Sequence, residues 1–284
     1  MPELPEVETI RRGLQIIRHK RIKQVQVLAP KIAKPKGLAS LLVGHSITRL
    51  ERRGKLLIAH LSNQSILLIH LKMTGQLVYR PAGGKLVVGG HPIDNVVTVP
   101  NKFTHIIVSF SNGSKLFYND VRRFGYWRLI RPQDLSAIIS DYGPEPLERS
   151  LTKEIWLDLL QHKSAWKIKK FLLDQSVIAG LGNIYADEAC FLTKIRPQRT
   201  IRTISPQQRL QLLVNIRRVL RQSIKHGGTS FNNYVQAQGL PGNFSKLLKV
   251  YGRQGQLCQR CKKGRIIKTR LVGRGTHYCP QCQK

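Results

Sequence analysis

The chain has 284 residues, an ordinary 41% hydrophobic content, and 48 Lys and Arg against 15 Asp and Glu for a net charge of +33. That length suits two domains and a small appendage, and so large a single-sign excess calls for a polyanionic partner, nucleic acid before an anionic membrane surface. No apolar run of roughly 18 residues and no signal-peptide core stand in the sequence, so a membrane-bound or secreted protein is not expected and the cytoplasm is.

The chain opens Met1-Pro2-Glu3-Leu4-Pro5-Glu6. Met is commonly clipped before a small residue, and clipping leaves Pro2 with a free secondary amine beside Glu3 and Glu6. An α-amino group titrates near ~7.7–8.0, so much of it is neutral and nucleophilic at physiological pH. Condensed with a sugar aldehyde, a secondary amine gives an iminium with no N–H to lose. The plainer alternative is that the prolines stiffen the terminus while the two carboxylates favour a helix start. Val7, Ile10, Leu14 and Ile17 then repeat at helical spacing.

Strands follow. Residues 22–27 alternate in period two; 56–61 with 66–71, and 106–110 with 115–118, read as hairpins around Asn/Ser/Gly turns. Many short strands after one helix predict an antiparallel sandwich. Pro81 to Pro100 is rich in Gly and Pro and reads as a loop. From Thr152 the pattern is helical; Leu210, Leu213, Ile216, Leu220 and Ile224 keep one face of a helix closed by Gly227-Gly228. The expected class is α+β and multidomain, with a sandwich over 1–140, a helical domain over 141–248 and a cysteine hairpin over 249–284.

Cys258-x2-Cys261 and Cys279-x2-Cys282, 17 residues apart, have the spacing of one tetrahedral four-thiolate site. A single structural zinc ion is expected, with an iron–sulfur site or a redox pair as alternatives. Cys190 stands alone. Gly180-Leu181-Gly182-Asn183 reads as a turn opening a helix, able to offer backbone N–H groups to a phosphate or to be no more than a turn. Arg122-Arg123-Phe124 suits a wedge that stacks where a base has left; the alternative is a surface Arg pair with Phe124 in the core. Met73 and Lys55 by themselves read as a core residue and a solvated charge.

Together these residues resemble the bacterial formamidopyrimidine-DNA glycosylase family along the whole chain. The likeness rests on Pro2-Glu3-Leu4-Pro5-Glu6-Val7-Glu8-Thr9, Lys55, the Met73 segment, Arg122-Arg123-Phe124-Gly125, Gly182-Asn183-Ile184-Tyr185 and the C-terminal cysteines. It implies an N-terminal β-sandwich with flanking helices, a helix–two-turns–helix domain and a zinc ribbon. It implies a monomer that binds damaged double-stranded DNA, with no small-molecule cofactor. It implies excision of 8-oxoguanine and formamidopyrimidines, then β- and δ-elimination. By the resemblance, Pro2 is the nucleophile, Glu3 the acid/base with Glu6 in support, and Lys55 and Arg274 assist the two eliminations. Met73, Arg122 and Phe124 fill the vacated stack, and His105, Asn183 and Tyr185 are expected at the DNA.

Three positions and one spacing depart from the family pattern. Val121 replaces a usual Pro, and the cysteine spacer is one residue longer. Ser164 falls where a basic phosphate contact is common, so Lys163, Lys167 or Lys169 is expected to substitute, with Lys169 counted among the DNA-binding residues. Leu240 replaces a frequent Lys in the loop over the flipped base. Two other readings stay open: an endonuclease VIII-like enzyme for oxidised pyrimidines, and a zinc-stabilised DNA-binding protein without chemistry.

Overall fold

The computed structural model describes residues 1–83, 87–90, 99–229 and 244–284. They divide into two compact units, Met1–Ser140 with His226–Ser245, and Asp141–Lys225 with Lys246–Lys284. Leu240 lies outside the described residues.

The first unit opens with α1 (Leu4–Gly13), which tightens into a 3-10 turn over Leu14–Ile17. Then come β1 (Ile22–Val27), β2 (Ala33–Lys34), α2 (Leu38–Leu42), β3 (Ile47–Arg53), β4 (Leu56–Leu61), β5 (Ile66–His70) and β6 (Gly75–Arg80). They are followed by β7 (Val87–Gly90), β8 (Thr104–Phe110), β9 (Lys115–Asp120), β10 (Tyr126–Ile130) and α3 (Asp134–Ser140). Among the described residues two five-stranded sheets form, ordered β1-β8-β9-β6-β7 and β2-β10-β5-β4-β3. Every pairing is antiparallel except β2 with β10.

Alternation explains the layers. Leu57, Ala59, Leu67 and Ile69 join the main core with Val7, Ile10, Leu14 and Ile17 of the N-terminal helix. Their neighbours Leu56, Ile58, Ile66 and Leu68 face the other way, against Leu135, Ile138 and Ile139 of α3. Covered on both faces, β4 and β5 read as continuous apolar runs instead of alternating ones. Both predicted hairpins close on an Asn: Asn63 Oδ1 accepts from Ser65, and Asn112 Oδ1 from Ser114.

The expected loop from Pro81 to Pro100 is corrected by β7, whose residues pair with Gln76–Tyr79 of β6. The glycines around Val87-Val88 masked that strand in the sequence, while the neighbouring edge of β6 offered it a ladder.

The second unit holds α4 (Lys153–His162), α5 (Ile168–Leu173), α6 (Asn183–Leu192) and α7 (Pro206–Lys225), then a hairpin of β11 (Ile267–Leu271) and β12 (Arg274–Tyr278). Thr152 caps α4 by accepting the Ile155 amide at 3.3 Å. Trp156 pins α4 to α7 through Nε1 to the Arg209 carbonyl at 2.8 Å, and packs edge-on to Phe171 of α5. On α7 the buried face includes the predicted Leu213, Ile216 and Leu220 and is widened by Leu212 and Val219. The chain leaves that helix through Gly227 and Gly228 at φ +75 and +87, a region that favours glycine.

Candidate catalytic terminus and nucleic-acid interface

Glu3 is the N-cap of α1 and is 1% exposed, and Pro2 before it is buried. In the chain with Met1 attached, the Pro2 nitrogen is an amide and not a nucleophile. Glu6, one turn into the helix, is a clamp. Its Oε2 accepts the Glu3 amide at 3.0 Å, while Oε1 accepts the backbone and hydroxyl of Thr229 at 2.7 and 2.9 Å. A Cβ on Gly228 would come within 3.0 Å of Glu6 Oε1, so glycine is required there on two counts, close approach and φ +87. The terminus is thereby tied to a segment 223 residues away in sequence.

A second tie runs from α1 to Lys55. Glu8 binds Arg11 and Arg12 on its own helix at 2.9 and 2.8 Å, and Arg52 of β3 at 3.3 Å. Arg52 in turn donates to the Gly54 carbonyl at 2.9 Å, bracing the turn that carries Lys55. Burial pushes the Glu8 carboxyl up, but hydrogen bonds from Arg11 and Arg12 and the charges of Arg11 and Arg52 outweigh it and hold the group down at about 2. Lys55 is 7% exposed, so it is not the solvated charge that its sequence context suggests. Near it, His70 is held neutral, its pKa pushed down to about 3 first by burial and then by the charges of Lys72 and Lys55. Its Nδ1 accepts the Lys72 amide at 2.9 Å, which places the ring proton on Nε2.

Met73 and the pair Arg122 and Phe124 stand on two loops, β5–β6 and β9–β10, that meet. Phe124 is 53% exposed, not in the core, and the Arg122 guanidinium lies 4.5 Å over its ring. Met73 is half-buried. Beneath them sits Asp120, with no exposed surface. Its Oδ1 accepts the Thr74 hydroxyl and the Arg122 amide, and its Oδ2 the Gly125 amide at 2.8 Å and the Tyr118 hydroxyl at 3.2 Å. Burial, and then Asp120, push the Tyr118 phenol far up, so it stays a donor. Each loop holds one non-glycine residue in the left-handed region, Lys72 at φ +48 and Arg123 at φ +54, a strain of order 1 kcal/mol each that the network holds in place. Gly125 admits no side chain, because a Cβ would fall 1.8 Å from the Tyr118 hydroxyl. His105 is buried at 4% exposure and donates Nε2 to the Asp120 carbonyl at 2.8 Å. That bond supports the loop from below.

In the second unit, Asn183 begins α6 after the Gly182 N-cap, as expected from the glycine turn. Its Nδ2 donates to the Gly275 carbonyl at 2.8 Å, fixing the hairpin next to exposed Arg274. Lys169 is corrected. It is fully buried and paired with Asp187, which also accepts the His277 amide at 2.9 Å, so it reaches no phosphate. Tyr185 is corrected likewise: it has no exposed surface, and its hydroxyl bonds Ser223. Glu188 accepts the amides of Lys249, Val250 and Tyr251 at 2.9 Å, joining α6 to the segment ahead of the cysteines. An Asp ending a strand ahead of a Gly-bearing turn was a signal for Asp120; nothing local announced Thr74, Asp187 or Thr229.

The ligand atoms of Cys258, Cys261, Cys279 and Cys282 lie within 4.8 Å of one another. The Sγ atoms of Cys258 and Cys282 are 3.7 Å apart, and those of Cys261 and Cys279 3.8 Å. A tetrahedron with metal–sulfur bonds of ~2.3 Å has edges of about 3.8 Å, so the four sulfurs fit one ion. Amides of Gly264 and Lys263 pull the Cys261 thiol down to about 6, while burial pushes the Cys279 and Cys282 thiols up, so it is the ion's own charge that has to drive off their protons. Among the described residues no helix is long and apolar enough to cross a membrane.

Residues 1–127 match the family model for the formamidopyrimidine-DNA glycosylase N-terminal domain, and residues 142–234 the one for its H2TH domain. A formamidopyrimidine-DNA glycosylase of Carboxydothermus hydrogenoformans is 41% identical over 288 residues, covering 100% of both chains. One from Pelotomaculum thermopropionicum is 39% identical over 290 residues, covering 100% of this chain and 99% of its own. Among solved structures, a Lactococcus lactis relative in complex with a Fapy-dG containing DNA superposes with a TM-score of 0.87 at 34% identity, covering 100% of both chains. The same organism's protein bound to abasic-site DNA gives 0.87 at 33%, covering 99% of each.

Proposed function

The chain belongs to the formamidopyrimidine-DNA glycosylase family, and from that premise we propose that it is a bifunctional DNA glycosylase and AP lyase acting on damaged duplex DNA. Its substrates are oxidised purines, 8-oxoguanine and formamidopyrimidines, in base excision repair. The observation that carries the reading is the N-terminal arrangement, Pro2 and Glu3 at the head of a helix with Glu6 pinning both the Glu3 amide and Thr229.

Once Met1 is removed, the Pro2 amine attacks C1′ of a flipped-out nucleoside as the bond to the base breaks; the base leaves as its protonated form. Glu3 protonates the ring oxygen, the sugar opens, and a Pro2–C1′ iminium forms. Loss of a C2′ proton into that electron sink breaks the C3′–O bond, the β-elimination. Loss of a C4′ proton breaks the C5′–O bond, the δ-elimination. Water then hydrolyses the iminium, returning the amine and releasing the sugar fragment. Glu6 orients Glu3, Lys55 assists the first elimination, and Arg274 grips phosphate and assists the second. Asn183 holds another phosphate or, through Gly275, holds Arg274 in place.

A base inside a duplex is out of reach of any nucleophile, so the mechanism needs a wedge. Met73, Arg122 and Phe124 serve, with Arg122 reaching the unpaired cytosine. The four cysteines hold one structural zinc ion, which folds the small hairpin; four protein ligands leave it no open position for chemistry. The protein works as a monomer in the cytoplasm, and the +33 charge makes its DNA affinity steeply salt-dependent.

Product analysis tests the reading. Met1-processed protein with an 8-oxoguanine·cytosine duplex is expected to release the base and leave a one-nucleoside gap with phosphate on both ends. An intact strand, or cleavage only at an oxidised pyrimidine, overturns the substrate assignment.

A further inference from the structure

Thr74 and Asp120 lie 46 residues apart and belong to neither set of residues that contacts DNA in the proposed mechanism. Yet they are the junction of the two wedge loops. The Thr74 hydroxyl is used in both directions: it donates to Asp120 Oδ1 and accepts the Arg122 amide at 3.0 Å. Asp120 spends both carboxylate oxygens and its carbonyl on the same junction, taking Arg122, Gly125, Tyr118 and His105 as donors. The tips are closed as well, since the Arg122 guanidinium stacks on Phe124. The result is a ring, from Thr74 to the Arg122 backbone, through the Arg122 and Phe124 side chains, to Gly125 and back to Asp120. Met73 precedes the first member of that ring directly.

A buried carboxylate costs desolvation, and a fold that only needed a turn here could use an uncharged residue. This charge is placed where it registers one loop against the other. Resting on the glycosylase reading above, we propose that Thr74 and Asp120 are positioning residues that couple the loops, so that Arg122 reads the opposite base and Met73 and Phe124 fill the stack as one event. Discrimination of the opposite base then depends on a hydroxyl that touches no DNA. The Thr74 hydroxyl serves because it meets both Asp120 and the backbone of the reading residue.

The test uses the full, metal-loaded, Met1-processed chain carrying Thr74→Val, which keeps the shape and removes both hydrogen bonds, and Thr74→Ser, which keeps them. Borohydride trapping on a single-stranded abasic oligonucleotide monitors the chemistry, because that substrate has no stack to fill and no opposite base. Single-turnover excision of 8-oxoguanine opposite cytosine and opposite adenine monitors the wedge. Thr74→Val is expected to trap the single strand within about two-fold of wild type, and to slow duplex excision about ten-fold, the equivalent of ~1.4 kcal/mol. Its cytosine-to-adenine preference should fall toward one, with Thr74→Ser restoring it. Combined with Arg122→Ala, it should lower the preference no further than Arg122→Ala alone. Equal losses on both substrates, an unchanged preference, or additive effects with Arg122→Ala overturn the coupling. Asp120→Asn gives a second route if Thr74→Val folds poorly, with the same expected split. Wild-type protein that neither traps the single strand nor excises from the duplexes refutes the glycosylase reading itself, an outcome distinct from a coupling failure.

Discussion

Replacing Lys169 by Met separates a structural cation from a DNA-binding one. Lys169 and Asp187 are both 0% exposed and form an ion pair. Removing one partner of a buried pair costs ~3–5 kcal/mol, because the other charge is stranded. Asp187 would keep the His277 amide at 2.9 Å and the His277 ring at 3.3 Å, which places the loss at the lower end, about 3 kcal/mol. Guanidinium unfolding of the metal-loaded protein measures it, followed by the fluorescence of Trp156, which packs on the same helix α5 that carries Lys169. The double variant Lys169→Met with Asp187→Leu should recover part of the loss, since it strands no charge. DNA affinity across a salt series supplies the second arm. A lost phosphate contact would lower the slope of log K against log salt by ~0.9, and the buried position predicts no such change. A slope reduced by about one, or a stability loss under ~1 kcal/mol, would refute the assignment of Lys169 to the core.

The Glu8 carboxyl, held at about 2 against an ordinary 4.5, contributes stability that is fully present above pH 4.5 and is lost as pH falls through 2. Solvent screening, strongest at the exposed Arg12, leaves ~1–2 kcal/mol, and Glu8→Gln should flatten the acid limb of the stability curve in that window; an unchanged limb refutes it. His70, pushed down to about 3, should stay neutral with its proton on Nε2 from pH 7 to pH 5 in two-bond nitrogen–proton NMR. A ring that titrates near ~6.5 would contradict the burial and charge argument. Elemental analysis should find about one zinc per chain, lost in Cys279→Ala; iron with visible absorbance would move the four-sulfur site to the iron–sulfur alternative.

Elements whose cause is local were legible. The 22–27 alternation, the two Asn-closed hairpins, the Thr152 start and the glycine stop after α7 each follow from a few neighbouring residues, and each formed where it was expected. The cysteine site was legible for the same reason, two short turns each presenting two sulfurs. What escaped depends on distant partners. Lys169 reads as one more cation in a run of basic residues, and only Asp187, 18 residues on, makes its burial tolerable. Tyr185 sits inside a motif that suggests DNA contact, while its hydroxyl is consumed by Ser223. Phe124 was ambiguous between core and wedge, because exposure is decided by how the β9–β10 loop is pinned and not by the residue type. Thr74 and Thr229 carry no sequence signal, although they bond the Arg122 loop and Glu6 at the head of α1.

The central claim is that the N-terminal proline amine is the nucleophile. Borohydride reduction during turnover of an 8-oxoguanine·cytosine duplex, followed by peptide mapping of the adduct, tests it most directly. One covalent DNA adduct is expected on Pro2 of the Met1-processed chain and none on the chain that retains Met1. An adduct mapped to a lysine, or full activity with Met1 intact, would contradict it.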